Sequence, residues 1–139
     1  MSRQSRMLAG VLLVTVPTVM FGGLTLLSFL VGRAHGYVDN PLRQDLWRAG
    51  HAHAGVYLLL SLIMLRYVDE AALSASWKWV ARLGAPIAAI LVPAAFFLST
   101  LSPTSTSASS LVNLAYPGAA ALALSVLTLG VGLIRAARA

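Results

Sequence analysis

Four apolar runs constrain the fold of this sequence more than any other feature. They cover residues 7–32, 49–65, 83–101 and 111–134. A membrane-spanning helix needs about 20 predominantly apolar residues. Only 10% of the residues are charged, compared with about 25% in an ordinary soluble domain. The bilayer must therefore be the solvent for most of this chain, and we expect an all-α integral membrane protein.

The second run is too short to span the bilayer by itself, but a helix start signal precedes it. Asn40 can cap a helix, and Pro41 suits the first helical position. We therefore predict that the second helix begins near Pro41, with its first turns in the headgroup layer. The predicted spans are about 7–32, 41–66, 78–101 and 111–134, and they form a single transmembrane domain over residues 1–139.

Prolines inside the first and third spans predict bent helices, because proline removes a backbone hydrogen bond and clashes with the preceding turn. These residues are Pro17, Pro86 and Pro93. The expected architecture is a four-helix membrane bundle with proline-kinked helices. In the fourth span, small residues four positions apart predict a packing face, at Ala115, Ala119 and Ala123.

The basic residues predict how the helices are oriented. Seven of the ten would lie on one side of the membrane: Arg3, Arg6, Arg66, Lys78, Arg82, Arg135 and Arg138. The other side would carry Arg33, Arg43 and Arg48. Because basic residues are enriched on the cytoplasmic side, we expect a multi-pass protein of the cell membrane with both termini in the cytoplasm. Asp69 and Glu70 would then lie in a solvated cytoplasmic turn.

The net charge of +6 raises the question of nucleic acid as a partner. The basic residues flank the apolar runs and form no continuous basic face, which nucleic-acid binding would require. They indicate the lipid bilayer as the partner, and no nucleic acid.

All three histidines fall between residues 35 and 53, on the predicted outer side, with two carboxylates in the same segment. Histidine with carboxylate is a ligand set for zinc, copper, nickel or non-haem iron, and a single histidine can be an axial ligand of haem. The candidate metal ligands are His35, Asp39, Asp45, His51 and His53. The candidate cofactor-binding residues are His51 and His53. The chain has no cysteine, so thiolate sites are excluded.

Helix geometry limits how these histidines can cooperate. Residues two apart on a helix are turned by about 200°, so His51 and His53 must face different sides, and at most one points into the bundle. If a ligand site exists, one of them lines it with groups from elsewhere in the segment: His35 or Asp39, supported by Tyr57 or Asp45. The alternative is structural, because a histidine near the headgroups costs little and can hydrogen-bond a neighbouring helix.

The same segment carries two resemblances. Residues 37–55, YVDNPLRQDLWRAGHAHAG, resemble small four-helix membrane proteins of actinobacteria and neighbouring groups. That resemblance would cover nearly the whole chain, and it implies a fold without implying an activity. The fragment Gly50-His51-Ala52-His53 is similar to histidine-bearing helices of haem–copper-oxidase-like membrane proteins. It implies a haem or metal role, although the additional histidines of those proteins are absent here.

Three classes of function remain open from the sequence. The first is a binding protein with an outer-face histidine and aspartate site for a transition metal or haem. The second is an accessory or assembly subunit of a larger membrane complex, without chemistry of its own. The third is a small channel or carrier that works as a homo-oligomer. We expect a non-enzymatic role in each case.

Overall fold

The computed structural model describes residues 1–138, and within them the chain is built of four long helices without a strand. They are α1 (Arg3–Val31), α2 (Pro41–Tyr67), α3 (Ala75–Ser99) and α4 (Ala115–Ala136), with a short 3₁₀ helix (Ser110–Leu114) leading into α4. The expectation of an all-α chain with four helices is confirmed. Three segments are long and apolar enough to cross a membrane: Arg3–Val31, Ala75–Ser99 and Ser110–Ala136. These three helices are consistent with a small membrane protein.

The start of α2 is where the sequence places it. Pro41 occupies the first turn, and the Asn40 side chain accepts a hydrogen bond from the backbone N–H of Arg43 at 3.1 Å. The start of α1 uses a hydroxyl in the same way, since Ser2 Oγ accepts from the N–H of Ser5 at 3.2 Å. Such caps satisfy N–H groups that have no partner inside the helix.

Contacts between the connecting segments show that successive helices run in opposite directions. The backbone N–H of Ser2 donates to Asp69 at 2.6 Å, and the N–H of Ala72 donates to the carbonyl of Gly132 at 3.0 Å. The N-terminus, the 68–74 loop and the last turns of α4 thus meet at one end, which we call the terminal end. At the opposite end, called the loop end, the amide of Asn40 donates to the carbonyl of Pro103 at 2.9 Å.

The core lies in the half of the protein nearest the terminal end. Helix α3 packs against both α2 and α4, whereas α1 packs against α2. The buried core cluster is drawn from α2, the 68–74 loop, α3 and α4: Met64, Val68, Ala71, Ala81, Ala85 and Leu129. Helix α1 contributes nothing to this cluster, and it presents most of its apolar side chains to the surroundings.

Glycines set how closely α3 and α4 approach. A Cβ on Gly84 would lie 2.4 Å from Cβ of Ser125, and one on Gly118 would lie 2.8 Å from a methyl carbon of Val92. Neither position tolerates a side chain, so the backbones approach more closely than alanine would permit. The prediction that Ala115, Ala119 and Ala123 form the packing face of α4 is wrong, since Ala119 and Ala123 are exposed.

Candidate functional site

The loop between α1 and α2 holds two of the predicted ligands together. Nδ1 of His35 lies 2.6 Å from one carboxylate oxygen of Asp39, and the other oxygen accepts from the N–H of Gly36 at 2.5 Å. The His35 side chain is 93% exposed. Both oxygens of Asp39 therefore stabilise the turn, and the histidine–aspartate pair faces outward from the loop end.

Gly36 brings this loop against the loop between α3 and α4. Its φ of 74° lies in the left-handed region that glycine favours, and a Cβ there would lie 2.4 Å from Cβ of Pro103. The Asn40 amide donates to the carbonyls of both Pro103 and Ser105. A shallow cavity of about 410 Å³ lies between the two loops, and His35 and Asp39 are at its edge.

An aromatic cluster lies beneath these loops and joins three helices. Its rings have centroids 5.7–6.3 Å apart and belong to Phe29, Tyr37, Trp47 and Phe97. The guanidinium of Arg43 lies 4.0 Å from the centre of the Trp47 ring and donates to the carbonyl of Gly36 at 2.9 Å. Burial raises the pKa of Tyr37, and the nearby charge of Arg48 partly offsets this rise. The cluster therefore fixes the first turns of α2 to α1 and α3.

His51 faces α1. A Cβ added to Gly23 would lie 2.9 Å from Nε2 of His51, and one added to Gly22 would lie 3.7 Å from Nδ1. The ring therefore packs against the Gly22-Gly23 pair, where the absence of side chains makes room for it. The half-buried ring also lines a groove between α1 and α2 that reaches Arg48 and Tyr37.

His53 lies on a different face of α2, toward α3. Its Nδ1 is 2.7 Å from the carbonyl of Ala49. A carbonyl can only accept, so Nδ1 carries a proton, and in the neutral imidazole Nε2 is the nitrogen with the lone pair. The ring meets the rings of Tyr57 and Phe96 edge-on, at centroid distances of 5.3 and 5.4 Å. That His51 and His53 would face different sides is confirmed, whereas their roles stay predictions.

The five predicted metal ligands do not converge on one point. Asp45 is exposed on the first turns of α2, apart from the His35–Asp39 pair and from the two separated histidines. Among residues 1–138, no three side chains of histidine, aspartate or glutamate form a group that could hold a metal ion. The described part of one chain thus offers a histidine–aspartate pair and two single histidines.

A polar cluster at the terminal end was missed in the sequence analysis. Arg82 lies near the start of α3, and its guanidinium donates to Asp69 at 2.7 Å and to the hydroxyl of Ser5 at 3.1 Å. The Arg82 side chain is 7% exposed and that of Asp69 is 18% exposed. Asp69 therefore does not lie in a solvated turn as expected; Glu70, which pairs with exposed Arg66, does.

Hydrogen bonds control the charge of Asp69. Burial alone would raise the pKa of its carboxyl, but the backbone N–H of Ser2, the Arg82 guanidinium and the hydroxyls of Ser5 and Ser2 hold it well below its usual range. Asp69 is consequently ionised at neutral pH and neutralises Arg82. The sequence signal was Arg82 at the edge of an apolar run, with Asp69 thirteen residues earlier. This spacing identifies Asp69 as the partner of Arg82 only when the path of the 68–74 loop is known.

Comparison with known proteins leaves the function to be argued from this geometry. No protein-family model, curated protein or solved structure matches the chain.

Proposed function

We propose that this protein is a non-enzymatic accessory or assembly subunit that contacts a second polypeptide within the membrane. The observation that carries the proposal is the position of α1, which packs against α2 and makes little contact with α3. An apolar groove of about 540 Å³ opens between the three helices. In a bilayer, helices associate through van der Waals packing, so an open groove beside small side chains favours another helix.

The walls of this groove suit close approach. Its α2 and α3 sides include small or flat residues, such as Ala54, Ala89 and Pro86. Two hydroxyls on its α1 side are already satisfied, because Thr15 and Thr18 donate to carbonyls of their own helix at 2.7 Å. The groove therefore presents packing surface without polar groups that need a partner. The occupant that we propose is a transmembrane helix with an apolar surface that includes small residues.

Site-specific photo-crosslinking in the native membrane tests this proposal. A photoreactive residue at Thr18, in the groove, should produce a discrete protein adduct. The same residue at Ala119, exposed on α4, should produce lipid adducts only. Filling the groove with Ala89→Trp should abolish the Thr18 adduct, whereas Ala119→Trp should leave it unchanged. Identical adduct patterns at Thr18 and Ala119 would contradict the proposal, and an adduct with a second copy would favour a homo-oligomeric channel or carrier.

A second candidate function, binding of haem or a transition metal, is favoured by the arrangement of His53. A histidine ligand commonly donates its other ring N–H to a carbonyl, which fixes the tautomer. The Ala49 carbonyl has this relation to His53, and in the neutral ring Nε2 has the lone pair that a metal needs. Because His51 faces α1, a second axial histidine for haem would have to come from His35 or another chain.

The test of this second function is a metal analysis and a visible absorption spectrum of the detergent-purified protein. We expect His53→Ala to lose the bound metal or haem and His51→Ala to retain it, while loss in His35→Ala would identify His35 as the second ligand. Wild-type protein without either ligand, or retention by all three variants, would remove this function. The accessory-subunit proposal would then stand alone.

We further propose that all four helices cross the cell membrane, with the terminal end in the cytoplasm. The grouping of seven basic residues near that end, against three near the loop end, supports this orientation. Labelling of introduced cysteines with an impermeant reagent tests it. Ser107→Cys should be labelled in intact cells and Gln4→Cys should not. Both positions are exposed, and the chain has no other cysteine.

A further inference from the structure

A second groove runs along the opposite side of the contact between α1 and α2. Its apolar walls are side chains of α1, including Met20, Leu24 and Leu27. Gly23 forms part of its floor, and His51 of α2 lies against that glycine. The volume of this stretch is about 460 Å³, and it is open to the surroundings of the protein.

At the end of this groove nearest the loop end, polar side chains join the apolar lining. There the lining passes from Gly23 and Leu27 to His51, Arg48 and Tyr37, around a further volume of about 290 Å³. Gly23, Leu27 and His51 line both stretches, so the two are continuous. Arg48 is exposed, and no carboxylate among residues 1–138 forms a salt bridge with it, although Asp45 precedes it by three residues.

We propose that this groove binds one anionic phospholipid from the leaflet that contains the loop end. The Arg48 guanidinium binds the phosphate, and the ring of His51 lines the same stretch beside Gly23. One acyl chain lies along Leu27, Leu24 and Met20, beside Gly23. Arginine suits this role because its fork of N–H groups matches the oxygens of phosphate.

The charge of Arg48 and the extent of the apolar stretch into the membrane together favour a lipid as the occupant. An isolated phosphate would leave the apolar stretch uncovered, and an apolar helix would leave the Arg48 charge without an anion at the membrane surface. A phospholipid satisfies both parts, because its charge and its chain lie at the depths of Arg48 and Leu24. The absence of a side chain at Gly23 keeps the groove open beside His51.

Native mass spectrometry of the detergent-purified protein tests this site, with dioleoylphosphatidylglycerol and dioleoylphosphatidylcholine as probes. We expect one phosphatidylglycerol to bind more tightly than phosphatidylcholine. Arg48→Gln should weaken its binding about tenfold, since a charge-assisted contact to phosphate is lost. The matched control is Arg33→Gln, which removes an exposed charge from the same end. It should change binding by less than about twofold, because Arg33 does not line the groove and an exposed charge outside it is screened.

A second pair of variants tests the acyl-chain part of the site. Leu27→Trp fills the groove without touching the charge and should lower binding of phosphatidylglycerol, whereas Leu59→Trp, on an exposed face of α2, should not. Inorganic phosphate should not compete with the lipid. Equal binding of the two lipids, equal effects of Arg48→Gln and Arg33→Gln, or normal binding by Leu27→Trp would each overturn the proposal.

Discussion

Replacing Asp69 by asparagine tests the polar cluster that fastens α1 to the rest of the protein. The change removes the negative charge beside Arg82 and keeps the size of the side chain. Arg82 remains in place with its side chain 7% exposed, so water cannot readily replace the lost partner. Asparagine can still accept one hydrogen bond, but the positive charge is left without neutralisation.

The size of the effect follows from burial. Removing one partner of a fully buried ion pair costs about 3–5 kcal/mol in the free energy of unfolding. Asp69 is 18% exposed, and one hydrogen bond survives, so we expect a loss of about 2–3 kcal/mol. This corresponds to a change of about 30-fold to 150-fold in the folding equilibrium.

Unfolding of the purified protein by titrated dodecyl sulfate in mixed micelles provides the assay. Tryptophan fluorescence is a suitable signal, since the Arg82 guanidinium lies 5.3 Å from the centre of the Trp79 ring. The matched control is Glu70→Gln, which breaks an exposed pair with Arg66 and should cost less than about 1 kcal/mol.

A double variant separates the charge from the general loss of contacts. Combining Asp69→Asn with Arg82→Met removes the unpaired charge, so most of the stability lost in Asp69→Asn should return. If Asp69→Asn is no worse than Glu70→Gln, or if the double variant loses the sum of both single effects, the cluster does not act as a buried ion pair.

Three further predictions concern glycine contacts and pH. Gly84→Ala should lower the free energy of unfolding by about 1–3 kcal/mol through overpacking. Gly130→Ala is the control and should not destabilise the protein, because the space around its Cβ position is open. The same micelle titration measures both variants. Gly36→Ala should detach the two loops at the loop end, because its φ is positive and Pro103 blocks the new Cβ, and faster backbone hydrogen exchange at Ser105 would show it. Since the folded-state pKa of Asp69 is depressed, its stabilisation should be complete at neutral pH and decline as pH falls below the unfolded value of about 3.9; Asp69→Asn should lack this decline.

The helices could be predicted from the sequence because their signals are local. The Asn40-Pro41 pair marks the start of α2 through hydrogen bonds and dihedral angles that involve only neighbouring residues. The apolar runs marked the other helices to within a few residues. The different faces of His51 and His53 also follow from the geometry of a single helix.

The candidate site was only partly predictable, since ligand positions depend on how elements meet. The His35–Asp39 pair is local, four residues apart within one loop, and a short segment could form it. Where His51 packs depends on the Gly22-Gly23 pair of another helix. The sequence placed all these residues in one segment, but closeness along the chain does not make side chains converge.

By itself, the sequence determined the four helices and the apolar composition of their surfaces. Both follow from apolar runs and helix caps, which are properties of neighbouring residues. Only the tertiary structure decided which small residues form the α3–α4 contact and which acid neutralises Arg82. As small residues, Gly84, Gly118 and Ala119 were equally good candidates for this contact until the distance between the α3 and α4 backbones was known. Asp69 became part of a buried ion pair because the 68–74 loop folds it toward α3. Packing and charge pairing depend on distances between elements, and these are fixed only when the helices come together.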